Sequence, residues 1–383
     1  MVERQTFLLS PRQGTEIEVA FDRGEIRAPD GTTEPIREIE LELKRGETVV
    51  VWDVALRLLE VAPVRIETRS KGERGYCLVR GARPPVAHAH RLDLGRKMTL
   101  DAALQTAGRR LMAMLLRNEA GALDYMPEGV HQMRIAVRRL RAVLAAVRRM
   151  LPEEHYRWAK DELKWLGSGL GAARNWDVFA LSLVDPVGGT VADPHEMARL
   201  SDAAEDRRRA AHGQARETIL SQRYTATIMR LARWFEVRGW RDQPVNEESA
   251  RLMAPLGEVA PAILRRLHKK AMKRSRHFAA LNPVQRHRLR IALKKLRYAT
   301  EFLGGLYGRR ALARYGRRLR PLQDDLGHAN DVRAAQGLVA EFGGAATERA
   351  GGIVVGWHGR EVADAEARTR RHVRRFRRAK PFW

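Results

Sequence analysis

One motif occurs twice in this chain of 383 residues, and the duplication constrains the fold more than any other sequence feature. The first copy, HQMRIAVRRLR, begins at His131, and the second copy, HRLRIALKKLR, begins at His287. The two copies align without a gap at a spacing of 156 positions. Because self-similarity at a fixed spacing is the mark of repeated structural units, the two regions are expected to fold alike.

Each copy has the period of an amphipathic helix. At about 100° per residue, apolar and basic side chains fall on opposite sides of the helix. The predicted core positions are Met133, Ala136, Val137, Leu140, Leu144 and Val147 in the first copy and Leu289, Ala292, Leu293, Leu296 and Leu303 in the second. The predicted basic stripes contain His131, Arg134, Arg138, Arg141 and Arg148 in the first copy and His287, Arg290, Lys294 and Arg297 in the second.

These basic stripes have no acidic neighbours in the sequence. A helix face that meets only solvent usually mixes charges, because opposite charges four residues apart stabilise a helix and like charges destabilise it. Residues 131–150 and 282–300 contain no Asp or Glu. An ordinary solvated face is an alternative for either copy alone, but two such stripes favour binding of a polyanion.

The duplication extends well beyond one helix. At the same spacing, Arg110 and Arg117 match Arg266 and Lys273, and Lys164 matches Arg320. Pro127 and Pro283 are expected in the first turn of their helices, with Asn282 as an N-cap. Helix ends are predicted at Gly171 and Gly327, followed by new helix caps at Asn175, Asp177, Asn330 and Asp331.

These patterns predict a mainly α fold. Two repeats, residues 96–245 and 250–383, are expected to form antiparallel four-helix bundles related by a pseudo-two-fold axis. A small α+β segment, residues 1–95, precedes them. Within it, alternating patterns predict strands at 16–21, 37–44, 64–68 and 76–80, and a helical pattern covers 49–60.

Three carboxylates share one face of the predicted strand at 37–44. Since side chains alternate along a strand, Glu38, Glu40 and Glu42 point the same way. Such a face can hold a hard divalent metal, or it can be the solvent face of a half-buried sheet. No metal is predicted here, because a second strand of ligands is not evident.

Charge and composition narrow the range of partners. The net charge of +25 favours nucleic acid, anionic lipid or an inorganic polyanion. Few aromatic residues are interleaved with the basic stripes, which argues against base stacking. The absence of a long apolar run or an export signal, and a single cysteine, Cys77, predict a cytoplasmic protein with no membrane partner.

The doubled HxxRxxxRRLR-type helix, each followed by a segment containing LG and polar residues, resembles the CHAD family over residues 96–383. The first of these segments reads LGAARNWDV and the second LGHANDV, so they differ in detail. The resemblance implies binding of inorganic polyphosphate in a basic groove or pore between two four-helix bundles. It also predicts an association with polyphosphate granules.

The residues predicted to contact polyphosphate are those of the two stripes and their flanking helices. Arginine makes forked contacts with phosphate oxygens, whereas lysine acts as a point charge. The predicted contacts are His131, Arg134, Arg138, Arg141, Arg110, Arg117, Lys164, His287, Arg290, Lys294, Arg297, Arg266, Lys273 and Arg320.

The histidines have two alternative roles. A helical histidine often packs or forms a hydrogen bond, but His131 and His287 can also contact phosphate more strongly when protonated. A catalytic role is not expected, because the motif contains no Ser, Cys or carboxylate beside the histidine. No catalytic residue and no cofactor is predicted.

The N-terminal segment carries a second resemblance. REIELELKRGE, the helical stretch VWDVALRLLE and PVRIETRSKGERGYCL resemble the later part of a CYTH domain, the triphosphate tunnel fold. In that family the first strand carries a Glu-x-Glu-x-Lys motif, which the sequence ELELK at residues 40–44 matches, and a closed barrel of basic and acidic strands binds a triphosphate and its metal. Because the opening strands of that barrel are not recognisable, an incomplete tunnel without triphosphatase activity is expected.

The leading prediction is therefore non-catalytic binding of inorganic polyphosphate. The first alternative is a basic helical protein that binds nucleic acid. The second alternative is a metal-dependent triphosphatase that acts through the N-terminal segment.

Overall fold

The computed structural model of the protein describes residues 2–81, 83, 85–88, 92–187 and 193–383. Its fold is mainly helical, which confirms the predicted class. The elements are β1 (Val2–Leu9), β2 (Glu16–Arg27), β3 (Thr33–Arg45), α1 (Thr48–Val61), α2 (Lys71–Arg80), α3 (Leu100–Arg117), α4 (Glu119–Leu123), α5 (Pro127–Val147), α6 (Glu153–Gly169), α7 (Gly171–Val178), α8 (Pro194–Leu220), α9 (Gln222–Glu236), α10 (Glu247–Ala250), α11 (Leu256–Arg274), α12 (Pro283–Leu303), α13 (Arg309–Val339), α14 (Ala345–Asp364) and α15 (Glu366–Arg377).

The chain divides into two compact units. The first contains residues 1–89, 108–137 and 216–243, and the second contains residues 90–107, 138–215 and 244–383. Helices α3, α5 and α8 each contribute residues to both units. The division into repeats at 96–245 and 250–383 remains a prediction.

The first unit is built on an antiparallel sheet in the order β1-β2-β3. Helix α1 covers one face of the sheet, where Ile17 and Val19 pack with Val50 and Val54. Helix α9 lies beside α1, and Arg233 of α9 donates a hydrogen bond to Asp53 at 2.7 Å. The sheet and these helices therefore belong to one folded unit.

Part of the predicted strand pattern in this unit was wrong. Residues 76–80 lie in α2, because Ser70 and Glu73 form a reciprocal capping box and Gly81 adopts the left-handed conformation that ends a helix. Residues 64–68 form no strand. Strand β1 was not predicted, because its sequence VERQTFLL lacks the alternation of apolar and polar residues that marks a strand with one buried face. In the structure all of its side chains are exposed.

The second unit contains a core between α11, α12, α13 and α15. Leu289, Leu293 and Leu296 of α12 are buried there together with Leu319 and Leu322 of α13. All core positions predicted on α5 and α12 are buried, which confirms the core faces predicted from the amphipathic period.

Helix starts were predicted better than helix ends. Pro127 and Pro283 begin α5 and α12, and the Asn282 side chain accepts a hydrogen bond from the Gln285 backbone N–H at 2.9 Å. In contrast, α13 continues through Gly327, so no helix ends there. The expected end at Gly171 is displaced, because α6 ends at Gly169 and Gly171 begins α7.

The predicted caps after these glycines were also wrong. Asn175 and Asp177 lie within α7, and Asn330 and Asp331 lie within α13. Their side chains find other partners: buried Asp177, for example, lies 2.8 Å from His212. A polar residue that bonds to a neighbouring helix is not available to cap its own.

Within the described residues, no helix combines the length and the apolar character needed to cross a membrane.

Candidate anion-binding site

The second unit brings four of the predicted basic residues together. Arg290, Lys294 and Arg297 follow one another along α12 at spacings of four and three residues, on the side opposite its buried leucines. Arg138 of α5 is close enough that its charge contributes to lowering the pKa of both Arg290 and Lys294. We call these four residues the basic cluster.

The pKa of Lys294 shows that a positive charge is unfavourable at this position. Burial lowers its pKa to about 7, and repulsion from Arg290, Arg138 and Arg297 acts in the same direction. Asp331 opposes the shift without cancelling it. Since a nearby anion favours the charged form of a lysine, the cluster is electrostatically suited to a bound anion.

The cluster also has buried donors without acceptors. The Nε atoms of Arg138 and Arg290 are buried and have no hydrogen-bond partner among the described residues. The side chain of Arg290 is only 14% exposed, and burial is the main reason that its pKa is lowered. A buried unsatisfied donor costs about 1–3 kcal/mol, a cost that an anion with several oxygens would remove.

Carboxylates lie close to only part of the cluster. Asp331 is 3.8 Å from Arg290, a long ion-pair distance. Glu301 is shared, since it lies 2.9 Å from Arg139 and 3.1 Å from Arg297. Glu301 was not predicted to have a role, and Asp331 was predicted only as a helix cap in the polar segment that follows Leu326 and Gly327.

Two repeated motifs meet in this unit. The Nδ1 atom of His287 on α12 lies 3.1 Å from the side-chain oxygen of Asn330 on α13. Because an amide oxygen accepts, Nδ1 carries the hydrogen in this pair. Asp331 of α13 likewise lies 3.8 Å from Arg290, so Asn330 and Asp331 each contact one residue of the basic stripe of α12.

A second group of cations surrounds Lys295. Burial lowers the pKa of Lys295, and repulsion from Lys270, Arg141 and Arg274 lowers it further. The predicted contact Arg141 therefore lies close to this second group. Lys270, Arg274 and Lys295 were not predicted as contacts, although Lys295 occupies the position in the second copy that Arg139 has in the first.

The other predicted residues of this unit are more dispersed. Arg266 donates a hydrogen bond to the backbone carbonyl of Ala146, and its pKa is lowered by burial and by repulsion from Arg149. It therefore helps to pack α11 against the end of α5. Lys164, Lys273 and Arg320 are exposed, on α6, α11 and α13 respectively.

The remaining predicted contacts lie in the first unit. Arg110 and Arg117 are exposed on α3, whereas His131 and Arg134 are partly buried on α5. Their role in binding stays a prediction.

The acidic face of the sheet is arranged differently from the predicted triad. Asp22 of β2 pairs in register with Glu38 and lies beside Glu38 and Glu40, with carboxylate oxygens within 4.8 Å of one another. Glu42 instead lies 3.0 Å from Lys44. Asp22 was missed because only the pairing of the two strands brings it to this face.

Basic side chains of the protein itself bind this acidic group. Arg4 lies 2.6 Å from both Asp22 and Glu40, and Lys71 lies 2.6 Å from the same two carboxylates. The hydrogen bond from Arg4 is the main reason that the pKa of Asp22 is well below its usual range. The carboxylates are thus neutralised internally.

Comparison with known proteins places this geometry in a family. The chain matches the CHAD domain over residues 106–340, which is more than half of its length, and it belongs to the CHAD family. The solved structure of the CHAD domain from the plant Ricinus communis is 27% identical, with a TM-score of 0.66, and the match covers 77% of this chain and 98% of that one.

Two further proteins are similar. PptA from Streptomyces chartreusis shares the fold at 20% identity and a TM-score of 0.52, over 72% of this chain and 100% of that one. An inorganic triphosphatase from Haemophilus influenzae is 40% identical over 74 residues, which are 19% of this chain and 21% of that protein. The chain thus spans about a fifth of the length of this relative, whose similarity agrees with the CYTH-like character of the N-terminal segment.

Proposed function

We propose that the protein binds inorganic polyphosphate through the basic cluster and does not chemically change it. The observation that carries this proposal is the concentration of Arg138, Arg290, Lys294 and Arg297, in which burial, reinforced by repulsion from the three arginines, lowers the pKa of Lys294 to about 7. An isolated concentration of buried positive charge is costly, and a polyanion offsets that cost.

The chemistry of polyphosphate suits this cluster. Its anionic oxygens are closely spaced and it has no bases, so its binding needs several cations and no stacking surface. Arg138 and Arg290 offer donors without acceptors, and arginine can bind two phosphate oxygens at once. Membership of the CHAD family supports the same ligand, since the resemblance implied polyphosphate binding.

A binding role also agrees with the groups near the cluster. Asp331 and Glu301 are the carboxylates closest to its arginines among the interactions described above, and both take part in ion pairs. Neither is positioned as an activated nucleophile or as a base for one. In the first unit, Arg4 and Lys71 occupy the carboxylates that a triphosphatase would need for its metal.

The first experiment compares ligands. Long-chain polyphosphate, single-stranded DNA and double-stranded DNA are titrated into the full-length protein at equal phosphate concentration and fixed salt. We expect polyphosphate to bind most tightly, with an affinity that falls steeply as salt rises because counterions are released. Equal affinity for all three polyanions would instead favour the nucleic-acid alternative.

The second experiment uses matched variants. The double variant Arg290→Gln, Lys294→Gln removes two cations of the basic cluster. The control Arg157→Gln, Lys160→Gln removes two exposed cations of α6, which lie beside Glu153 and Asp161. Since contacts to charged groups contribute about 1.5–3 kcal/mol each, we expect at least about a tenfold loss of polyphosphate affinity in the first variant and less than about a twofold loss in the control. Equal losses would show that only net charge matters.

A further inference from the structure

Two histidines and a carboxylate meet between α13 and α14 of the second unit. His358 and Glu361 lie one helical turn apart on α14, and His328 faces them from α13. The His358 Nδ1 atom is 2.9 Å from a carboxylate oxygen of Glu361, and the His328 Nε2 atom is 3.4 Å from the same oxygen. One ligand atom from each residue lies within 4.8 Å of the others.

The surroundings of His358 fix which nitrogen carries its hydrogen. The side chain is buried, and its Nε2 atom lies 3.0 Å from the backbone carbonyl oxygen of Leu183. Because a carbonyl oxygen only accepts, Nε2 must donate. In the neutral ring, Nδ1 then presents a lone pair toward the Glu361 carboxylate, which is also only an acceptor. A contact of 2.9 Å between these two atoms requires a positive charge between them, supplied either by a second hydrogen on Nδ1 or by a metal ion.

This arrangement matches the way proteins prepare a histidine for a metal ion. A metal-binding histidine usually donates its second N–H to a backbone carbonyl or a carboxylate, which sets the tautomer and the direction of the ring. Leu183 supplies that carbonyl from a π-helical turn, Phe179–Val184, a type of turn that is frequent at functional sites.

We propose that His358 Nδ1, His328 Nε2 and the Glu361 carboxylate bind a divalent transition metal ion of the zinc class. Imidazole ligands favour such ions over magnesium and calcium, which prefer oxygen. In a tetrahedral site with bonds of about 2.0–2.1 Å, ligand atoms are about 3.4 Å apart. The distances of 2.9 and 3.4 Å are close to that value, so small side-chain movements admit the ion.

A metal ion at this site links two helices and leaves one coordination position open to solvent. It joins α13 to α14 through side chains from both helices, and so stabilises their packing. His328 and Glu361 are partly or largely exposed, which leaves the ion accessible to a fourth ligand from solvent. Three protein ligands with one open position are typical of zinc sites that exchange a ligand.

The test starts from metal-free full-length protein. Zn²⁺ is titrated by calorimetry against a competing chelator, and Co²⁺ serves as a visible probe because its tetrahedral complexes absorb strongly. We expect one saturable site with a tetrahedral Co²⁺ spectrum. Glu361→Gln and His328→Gln each change a side chain that solvent already reaches, and each should weaken Zn²⁺ binding by about 100-fold, since even residues behind the ligands affect affinity 10–100-fold.

A matched histidine provides the control. The Nδ1 atom of His372 lies 2.6 Å from Asp325, but no second histidine joins this pair in the described part of the chain. His372→Gln should therefore leave Zn²⁺ affinity within about twofold of the wild-type value, relative to that 10–100-fold range. Circular dichroism and thermal unfolding establish that each variant is folded before its metal affinity is compared.

Two results would overturn the proposal. The first is Zn²⁺ binding by Glu361→Gln and His328→Gln as tight as that of the wild type, which would place the metal elsewhere. The second is a ¹⁵N spectrum of the Zn²⁺-treated protein in which both ring nitrogens of His358 carry hydrogens, which would show that the cation between the acceptors is a proton.

Discussion

At the scale of single residues, Lys294 links the charge of the site to pH. Its pKa of about 7 means that the free protein carries this lysine mostly neutral above that pH. A phosphate oxygen beside the ammonium group favours the charged form and raises the pKa. Above pH 7, binding of polyphosphate should therefore take up a proton at Lys294.

The sign of the pH dependence follows. Affinity should be greatest below pH 7, where Lys294 is already charged, and should fall by up to about tenfold per pH unit above it. Lys294→Arg should remove this dependence, because arginine stays charged throughout.

Calorimetry at pH 8 in buffers of different ionisation enthalpy should give close to one proton taken up by the wild type and less by Lys294→Arg. The control Lys160→Arg should behave as the wild type, and equal uptake in all three proteins would contradict the assignment.

Lys294 also makes the stability of the free protein depend on pH, in the opposite sense to polyphosphate affinity. The pKa of Lys294 is lowered from 10.5 to about 7, so between these values the unfolded chain binds a proton that the folded protein does not. The contribution of Lys294 to stability therefore decreases as pH falls from 10.5 to 7, and polyphosphate should reverse this loss.

At the scale of secondary-structure elements, two helical glycines have different surroundings. A Cβ atom added at Gly108 of α3 would lie 2.0 Å from the ring of Phe235, whereas one added at Gly213 of α8 would meet nothing within 4 Å. Both glycines lie inside helices, where alanine is favoured by about 1 kcal/mol.

Alanine substitution should therefore have opposite effects at these positions. Gly213→Ala should raise the free energy of unfolding by up to about 1 kcal/mol. Gly108→Ala should lower it by about 1–3 kcal/mol, because overpacking against Phe235 outweighs the helix propensity. Urea unfolding of both variants measures the difference, and stabilisation by Gly108→Ala would show that Phe235 moves aside freely.

The elements also show what the sequence can determine. The core faces of α5 and α12 follow from their apolar period, and Asn282 followed by Pro283 marks a helix start locally. The helix end predicted at Gly327 was wrong, because a glycine ends a helix only where the chain turns, and α13 continues through this residue. The contact of His287 with Asn330, and that of His328 with His358, depend on helix packing, which the sequence pattern does not encode locally.

The duplicated motif predicts equal contributions from the two repeats. Arg134→Gln, Arg138→Gln should weaken polyphosphate binding about as much as Arg290→Gln, Lys294→Gln, because the paired positions match at one spacing of 156. Titration of both variants with the same polyphosphate preparation tests this expectation. If one variant loses binding and the other retains it, a site shared by the repeats is wrong.

At the scale of the whole molecule, the N-terminal segment is not an independent module. Residues 1–89 fold in one unit with residues 108–137 and 216–243. Glu119 illustrates this, since it forms an ion pair with Arg65 and accepts a hydrogen bond from Tyr224 at 2.9 Å. Removal of residues 1–95 would leave these partners exposed, so the function of the segment must be tested in the full chain.

We expect no appreciable hydrolysis of tripolyphosphate with magnesium or manganese. Metal-assisted hydrolysis needs ligands that hold the ion and leave positions open for substrate. Here Arg4 and Lys71 bind the carboxylates of Asp22 and Glu40, and a metal ion would have to displace both cations. Phosphate release from tripolyphosphate, measured with the full-length protein, should therefore stay at the level of the buffer.

Two variants test the expected absence of phosphate release. Glu40→Gln, Glu42→Gln weakens the acidic face and should change neither phosphate release nor polyphosphate affinity, since the basic cluster lies in the other unit. Lys71→Met removes one of the two cations that a metal ion would have to displace, and so makes the carboxylates more available to metal. If the wild type releases phosphate and the double glutamine variant does not, the segment is a triphosphatase. If release is absent in the wild type but arises in Lys71→Met, the internal ion pairs are what keep the acidic face inactive.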